Sequence, residues 1–160
     1  MEEHRSAPMR RNRNLLSIPD RIGEIVGIFF MLLIAAFFVY HQTTSTGFMT
    51  AGFGLTATLL FYGSFALSIV TSGARAILGR RDWARPFELA SNVFTFVAAM
   101  WFLKVFPFDF AHLADPLPIA VRFILSWITN SIGYLIILFS AIVSIIVAIV
   151  NAVRIFLDWI

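Results

Sequence analysis

The chain has 160 residues, of which 59% are hydrophobic and only 13% charged, and its mean hydropathy is +0.86. A soluble domain carries about 25% charged residues, and a water-soluble core of this size has no room for 18 Phe and 4 Trp, so the composition excludes a soluble globule. The absence of Cys excludes disulfides, thiolate metal ligation and thiol catalysis, while the net charge of +3 and pI near 10 need the positions of the charges before they mean anything.

Residues 1–21 hold Arg5, Arg10, Arg11, Arg13 and Arg21 among polar neighbours, and read as a basic cytoplasmic tail. They resemble the n-region of a signal peptide. The apolar stretch that follows is longer than the roughly 7–15 residues of an h-region, and no small-residue cleavage site follows it. Ser17, Pro19 and Asp20 give a cap, an early proline and a first-turn acid, which together start a helix.

The first span is expected over 22–40, close to the ~20 residues that cross the hydrocarbon layer. A short uncharged turn, 41–47, leads to a second span over 48–78. That span exceeds what the bilayer needs and must tilt, kink or project; Gly52, Gly54 and Gly63 are the candidate kinks. After the charged loop 79–85, Pro86 opens a third span over 87–106, and Pro107 stops it. The aromatic and acidic loop 108–118 follows. Residues 119–160 are too long for one simple span. They divide into an amphipathic lead-in at the interface, 119–127, and a fourth span over 132–156; a single tilted helix is the competing reading.

The expected fold is therefore an all-α polytopic membrane protein, a bundle of four transmembrane helices over 22–160. Counting Lys and Arg orients it. Ten lie in the tail, the 75–85 region and at Arg154, against only Lys104 and Arg122 on the other side. This asymmetry places both termini in the cytoplasm. It also explains the basic pI through anionic headgroups at the cytoplasmic face, with no nucleic acid.

Small residues recur every fourth position: Ser64, Ser68, Ser72 and Ala76 in the second span, and Ser140, Ser144, Ala148 and Ala152 in the fourth. Shorter sets are Ser91, Thr95 and Ala99, and the pair Gly23 and Gly27. Such rows let backbones approach where lipid offers no hydrophobic contrast. They serve packing within the bundle or contact with another copy or another membrane protein.

Ionisable groups inside spans are functional suspects. Glu24, Arg75, Glu88, Asn92, Asn151 and Arg154 all fall in the cytoplasmic half, and would form one polar pocket if they converge. Against this, Glu24 and Glu88 suit first helical turns, Asn92 suits interhelical hydrogen bonding, and Arg154 suits a solvated helix end paired with Asp158. His112 between Asp109 and Asp115 has the residue types of a metal or pH-sensing site, but a solvated loop is the simpler reading. No recognisable catalytic or phosphate-binding motif is present. The expected function is a non-catalytic subunit, scaffold or accessory of a complex in the cytoplasmic membrane, without cofactor or metal. A small oligomeric channel or transporter is the first alternative and an intramembrane lipid-modifying enzyme the second.

Overall fold

A computed structural model describes residues 15–79 and 81–159. The basic residues Arg5, Arg10, Arg11 and Arg13 of the tail, and Arg80, lie outside them. Four long helices follow one another: α1, Ile18–Thr43; α2, Leu55–Leu78; α3, Arg81–Val105; and α4, Asn130–Trp159. Each is long and apolar enough to cross a membrane. Two short 3-10 helices, Phe110–His112 and Ile119–Ile124, lie in the long connection between α3 and α4.

Local chemistry sets the helix ends. Ser17 caps α1 in a reciprocal box: its hydroxyl accepts from the Asp20 amide at 3.3 Å, and the Asp20 carboxylate accepts from the Ser17 amide at 3.2 Å. Gly79 ends α2 at φ 60°, its N–H donating to the Arg75 carbonyl. This is the left-handed stop that glycine adopts without strain. At the end of α3, Phe106 takes φ 41° and donates its N–H to Phe102, doing the same work at a steric cost. Pro107 then prevents any continuation.

Two helix starts differ from the pattern-based expectation by several residues, and one expected break is present. The second helix begins at Leu55, not near 48, because residues 48–54 turn aside to pair with the loop after α3. The Thr50 amide donates to the Pro107 carbonyl and the Asp109 amide to the Phe48 carbonyl, an antiparallel bridge between Met49 and Phe108. Gly52 and Gly54 therefore precede the helix instead of kinking it, and Gly63 sits inside an uninterrupted α2. The third helix starts at Arg81, with Pro86 in its early turns, where the missing N–H costs little. Residues 119–160 do break in two: a 3-10 turn over Ile119–Ile124 stands where an amphipathic lead-in was expected, and α4 starts at Asn130.

Packing is sequential. α2 lies against α1, α3 against α2 and α4 against α3, whereas among the described residues no Cα of α1 comes within 8 Å of one in α4. The bundle is thus open along one seam. The inward rows alternate in steps of four and three: Ala57, Phe61, Ser64, Ser68, Thr71 and Arg75 on α2; Ala84, Glu88, Ser91, Thr95, Ala98 and Phe102 on α3; Ile137, Ala141, Ser144, Ala148, Asn151 and Ile155 on α4. This 3.5-residue period keeps a narrow stripe facing the neighbour. Alanines and serines along it allow α3 and α4 to approach closely.

The strict four-residue rows behave differently. Each step of four advances the side chain ~40° around a helix of 3.6 residues per turn, so a four-rung row turns by about 120°. Ser144 and Ala148 are buried, but Ser140 is only half-buried and Ala152 is exposed. In α2 Ser72 is buried, whereas Ser64, Ser68 and Ala76 are half-covered.

One end of the bundle is closed by aromatic rings. Phe48 is fully buried, stacks on Phe38 and meets Phe108 at a tilt, at centroid distances of 5.5 and 5.4 Å, with Phe61 and Phe102 packed around Phe108. Phe102 and Phe108 belong to an aromatic-rich stretch, 101–110, and both are core. In a membrane protein both surface and core are apolar, so hydropathy does not separate them.

Candidate polar site at the open end of the bundle

The other end is polar, and four helices build it. An acid enters from the second turn of α1 (Glu24), a guanidinium from the last turn of α2 (Arg75), a second acid from the early turns of α3 (Glu88), and Asn151 and Arg154 from the closing turns of α4. The up-and-down order of the helices brings these points in the sequence to one level. Since α1 begins there and α4 finishes there, both ends of the helical run lie on the same side.

Arg75 is the hub. One terminal nitrogen donates to Glu24 Oε2 at 3.0 Å and the other to Glu88 Oε1 at 2.8 Å, while Nε lies 3.0 Å from Glu24 Oε1 as an ion-pair contact without the alignment of a hydrogen bond. Ser72 Oγ accepts a further bond at 3.3 Å. A planar fork is what one cation needs to hold two carboxylates on different helices, and Lys lacks it. All three charged side chains are under a third exposed, so their mutual attraction is screened less than at an open surface.

The hub divides two cavities. Outside it lies a cleft of about 540 Å³ lined by Asp20, Gly23, Glu24, Arg75, Arg85, Glu88, Asn151 and Arg154, with Leu16 and Pro19 at its rim. Inside it, a polar cavity of about 260 Å³ is lined by Ser68, Thr71, Ser72, Ser91, Asn92 and Thr95, with Met31 of α1 and Val147 of α4. The two share Arg75 and Glu88. Both are bordered by α1 and α4, the helices that do not touch.

All six residues picked out from the sequence lie at this end. Glu24, Arg75, Glu88, Asn151 and Arg154 line the cleft, and Asn92 lines the inner cavity. Asn92 does not bridge helices: its amide donates to the Glu88 carbonyl one turn back, at 2.7 Å. Asn151 is only 5% exposed, and its side-chain nitrogen has no hydrogen-bond partner. Arg154 is exposed, and the side chain of Asp158, expected to pair with it, lies outside the described residues.

Sequence reasoning missed Asp20 and Arg85 as lining residues, and missed the contact of Arg21 with Gly79. A Cβ built on Gly79 would lie 1.6 Å from the Arg21 guanidinium, so the bare backbone there is what admits the side chain. The Leu16 amide also donates to the Gly79 carbonyl at 2.9 Å, anchoring the segment before α1 to the end of α2. No local pattern announces such pairings between distant turns.

At the opposite end His41 is also fully buried. Its Nε2 lies 3.2 Å from the Leu113 carbonyl, and its Nδ1 is bonded to the Thr46 hydroxyl. A carbonyl only accepts, so Nε2 carries the hydrogen. His112 bonds Asp115 at 2.8 Å, while Asp109 turns away to cap the 3-10 helix through the Ala111 amide. Among the described residues no three His, Cys, Asp or Glu groups are placed to share a metal ion.

No family model matches the chain, and no match is found among curated proteins or solved structures.

Proposed function

We propose that the chain is a non-catalytic integral membrane protein acting as a subunit or scaffold of a larger membrane assembly, with both termini in the cytoplasm. The observation that carries this reading is the condition of α1. Its most apolar stretch contains no buried residue, among the described helices only α2 has Cα atoms within 8 Å of it, and the backbone at Gly27, outside the polar cleft, has nothing within 4 Å of where a Cβ would stand. Helices associate in lipid where small residues permit close approach, and α1 offers such a flank unused by its own chain. The excess of Lys and Arg at the polar end supports the orientation.

Native mass spectrometry of the gently solubilised protein from its own host tests this. A different membrane protein held at fixed stoichiometry, and released by Gly27→Leu, is the expected result. A monomer or a closed homo-oligomer alone would overturn it.

A second reading, a small oligomeric channel or transporter, is favoured by one feature: the inner polar cavity continues the cleft past the Arg75 hub to the level of Thr95. Flux through reconstituted protein that changes with Asn92→Leu would support it.

A further inference from the structure

We infer that the cleft around Arg75 is a binding site for a phospholipid headgroup bearing a primary ammonium, a phosphoethanolamine, admitted from the side through the seam between α1 and α4. Four observations converge on it.

The first is an unmet donor. Asn151 is 95% enclosed, lines the cleft and leaves its side-chain nitrogen unbonded. A buried amide without a partner costs about 1–3 kcal/mol; its nitrogen is closed off from solvent, so an acceptor in the cleft relieves that cost once the side chain turns toward it. Arg154, one turn further along α4, has no hydrogen bond or ion pair among the described residues and lines the same cleft. An amide donor and a guanidinium a turn apart suit a phosphate oxygen.

The second is the arrangement of sign. Glu24, Arg75 and Glu88 form a group with two negative charges and one positive, while Arg154 stands on α4. Asp20 and Arg85 complete the lining, each already engaged in interactions of its own. Among the described lining residues three acids face three bases, so that lining is neutral. A ligand that is itself neutral but carries both signs leaves that balance intact, whereas an anionic headgroup adds an uncompensated charge. Carboxylates have about four lone-pair sites each, and those left over by Arg75 accept N–H donors. A primary ammonium has three such donors and a quaternary one has none.

The third is depth. Nineteen residues separate Glu24 from the end of α1 at Thr43, and twenty separate Arg75 from the start of α2 at Leu55. At ~1.5 Å per residue these are rises of about 28–30 Å, the thickness of the hydrocarbon layer. The Arg75 cluster therefore lies one hydrocarbon thickness from the far helix ends, at headgroup level. The fourth is access: α1 and α4 border the cleft without approaching each other, so acyl chains attached to a bound headgroup have a lateral exit.

This site is independent of the subunit reading, since a chain without a protein partner would still show it. The test is native mass spectrometry of delipidated protein in mild detergent, offered equal amounts of phosphatidylethanolamine, phosphatidylcholine and phosphatidylglycerol. In parallel the protein is offered glycerophosphoethanolamine, which has the headgroup without the tails. The expected result is one phosphatidylethanolamine per chain, retained about tenfold over the other two lipids. That adduct should fall about tenfold in Arg154→Gln and in Asn151→Leu, the loss of one charge-assisted or buried hydrogen bond. Arg154 is exposed, so its variant keeps the wild-type melting temperature and decides the matter if Asn151→Leu does not fold. Equal retention of the three lipids overturns the inference, as does an adduct undiminished by Arg154→Gln. Tight binding of glycerophosphoethanolamine without any retained lipid also overturns it, in favour of a soluble zwitterion.

Discussion

Arg75 and Gly79 sit one turn apart on α2, and each holds α1 by a different means. Arg75 binds carboxylates from α1 and α3 simultaneously. Removing it strands two partly buried anions, whereas removing either acid strands at most part of one cation. Arg75→Gln should therefore destabilise the fold by about 2–3 kcal/mol, allowing for partial exposure, and Glu24→Gln by less. Arg75→Lys should recover only part of the loss, since an ammonium cannot span both acids. Denaturant unfolding in detergent would rank the three. Gly79→Ala meets two obstacles at once, a left-handed φ and the Arg21 guanidinium. The first alone costs about 1–2 kcal/mol, so a melting temperature lowered by several degrees is expected; an unchanged one would mean that the α2 stop is set elsewhere. The residue types at this site were legible in the sequence because charges within apolar spans are rare. Their partners were not, because Glu24 and Arg75 are 51 positions apart and only the helix order brings them level.

Among the elements, the loop between α3 and α4 is fixed by rings pressed on bare backbone. A Cβ on Gly133 would stand 2.1 Å from the Phe110 ring, in the first turn of α4, where that ring also meets Phe48 and Phe106. Gly133→Ala should push the ring out, cost about 1–3 kcal/mol by overpacking, and expose residues 106–129 to faster hydrogen exchange. Gly63 is the contrast. Its nearest neighbour is the tip of the Phe94 ring at 2.9 Å, a half-buried ring that borders an open groove, and alanine is the better helix former by about 1 kcal/mol. Gly63→Ala is expected to be close to neutral in the same melting measurement. Helix number and type were legible from apolar length alone. The start of α2 was not, because residues 48–54 are as apolar as a helix and are diverted only by the strand-like bridge from Met49 to Phe108, a contact between distant segments. The small-residue rows were legible in composition but not in phase, since interfaces follow steps of four and three and a row of strict fours winds off them.

At the scale of the whole molecule the open seam governs what the chain can do. Met31 on α1 and Val147 on α4 border one cavity, although no described backbone positions of these two helices come within 8 Å. Disulfides need Cα separations below about 7 Å, and the chain has no Cys of its own to interfere. The double variant Met31→Cys, Val147→Cys should therefore remain reduced under mild oxidation yet be joined by a longer bifunctional thiol reagent. Rapid disulfide formation would show instead that α1 and α4 close on each other. Nothing in the sequence distinguishes an open bundle from a closed one, because the same small and apolar residues serve either packing in lipid.

The attachment of α1 has a mechanical side. Near one end it is tied by the Ser17 region, Arg21 and Glu24, and at the other by His41 through the Leu113 carbonyl. Along its length it leans on α2, and among the described residues no Cα of α4 comes within 8 Å of it. Tension along the helix axis is thus borne by directional bonds at two anchors, while on the side of α4 no described Cα of that helix stands within 8 Å to oppose a sideways push. The helix behaves as a strut fixed at both ends and free to bow in one direction, so the lateral pressure of the surrounding bilayer sets the width of the gap beside it.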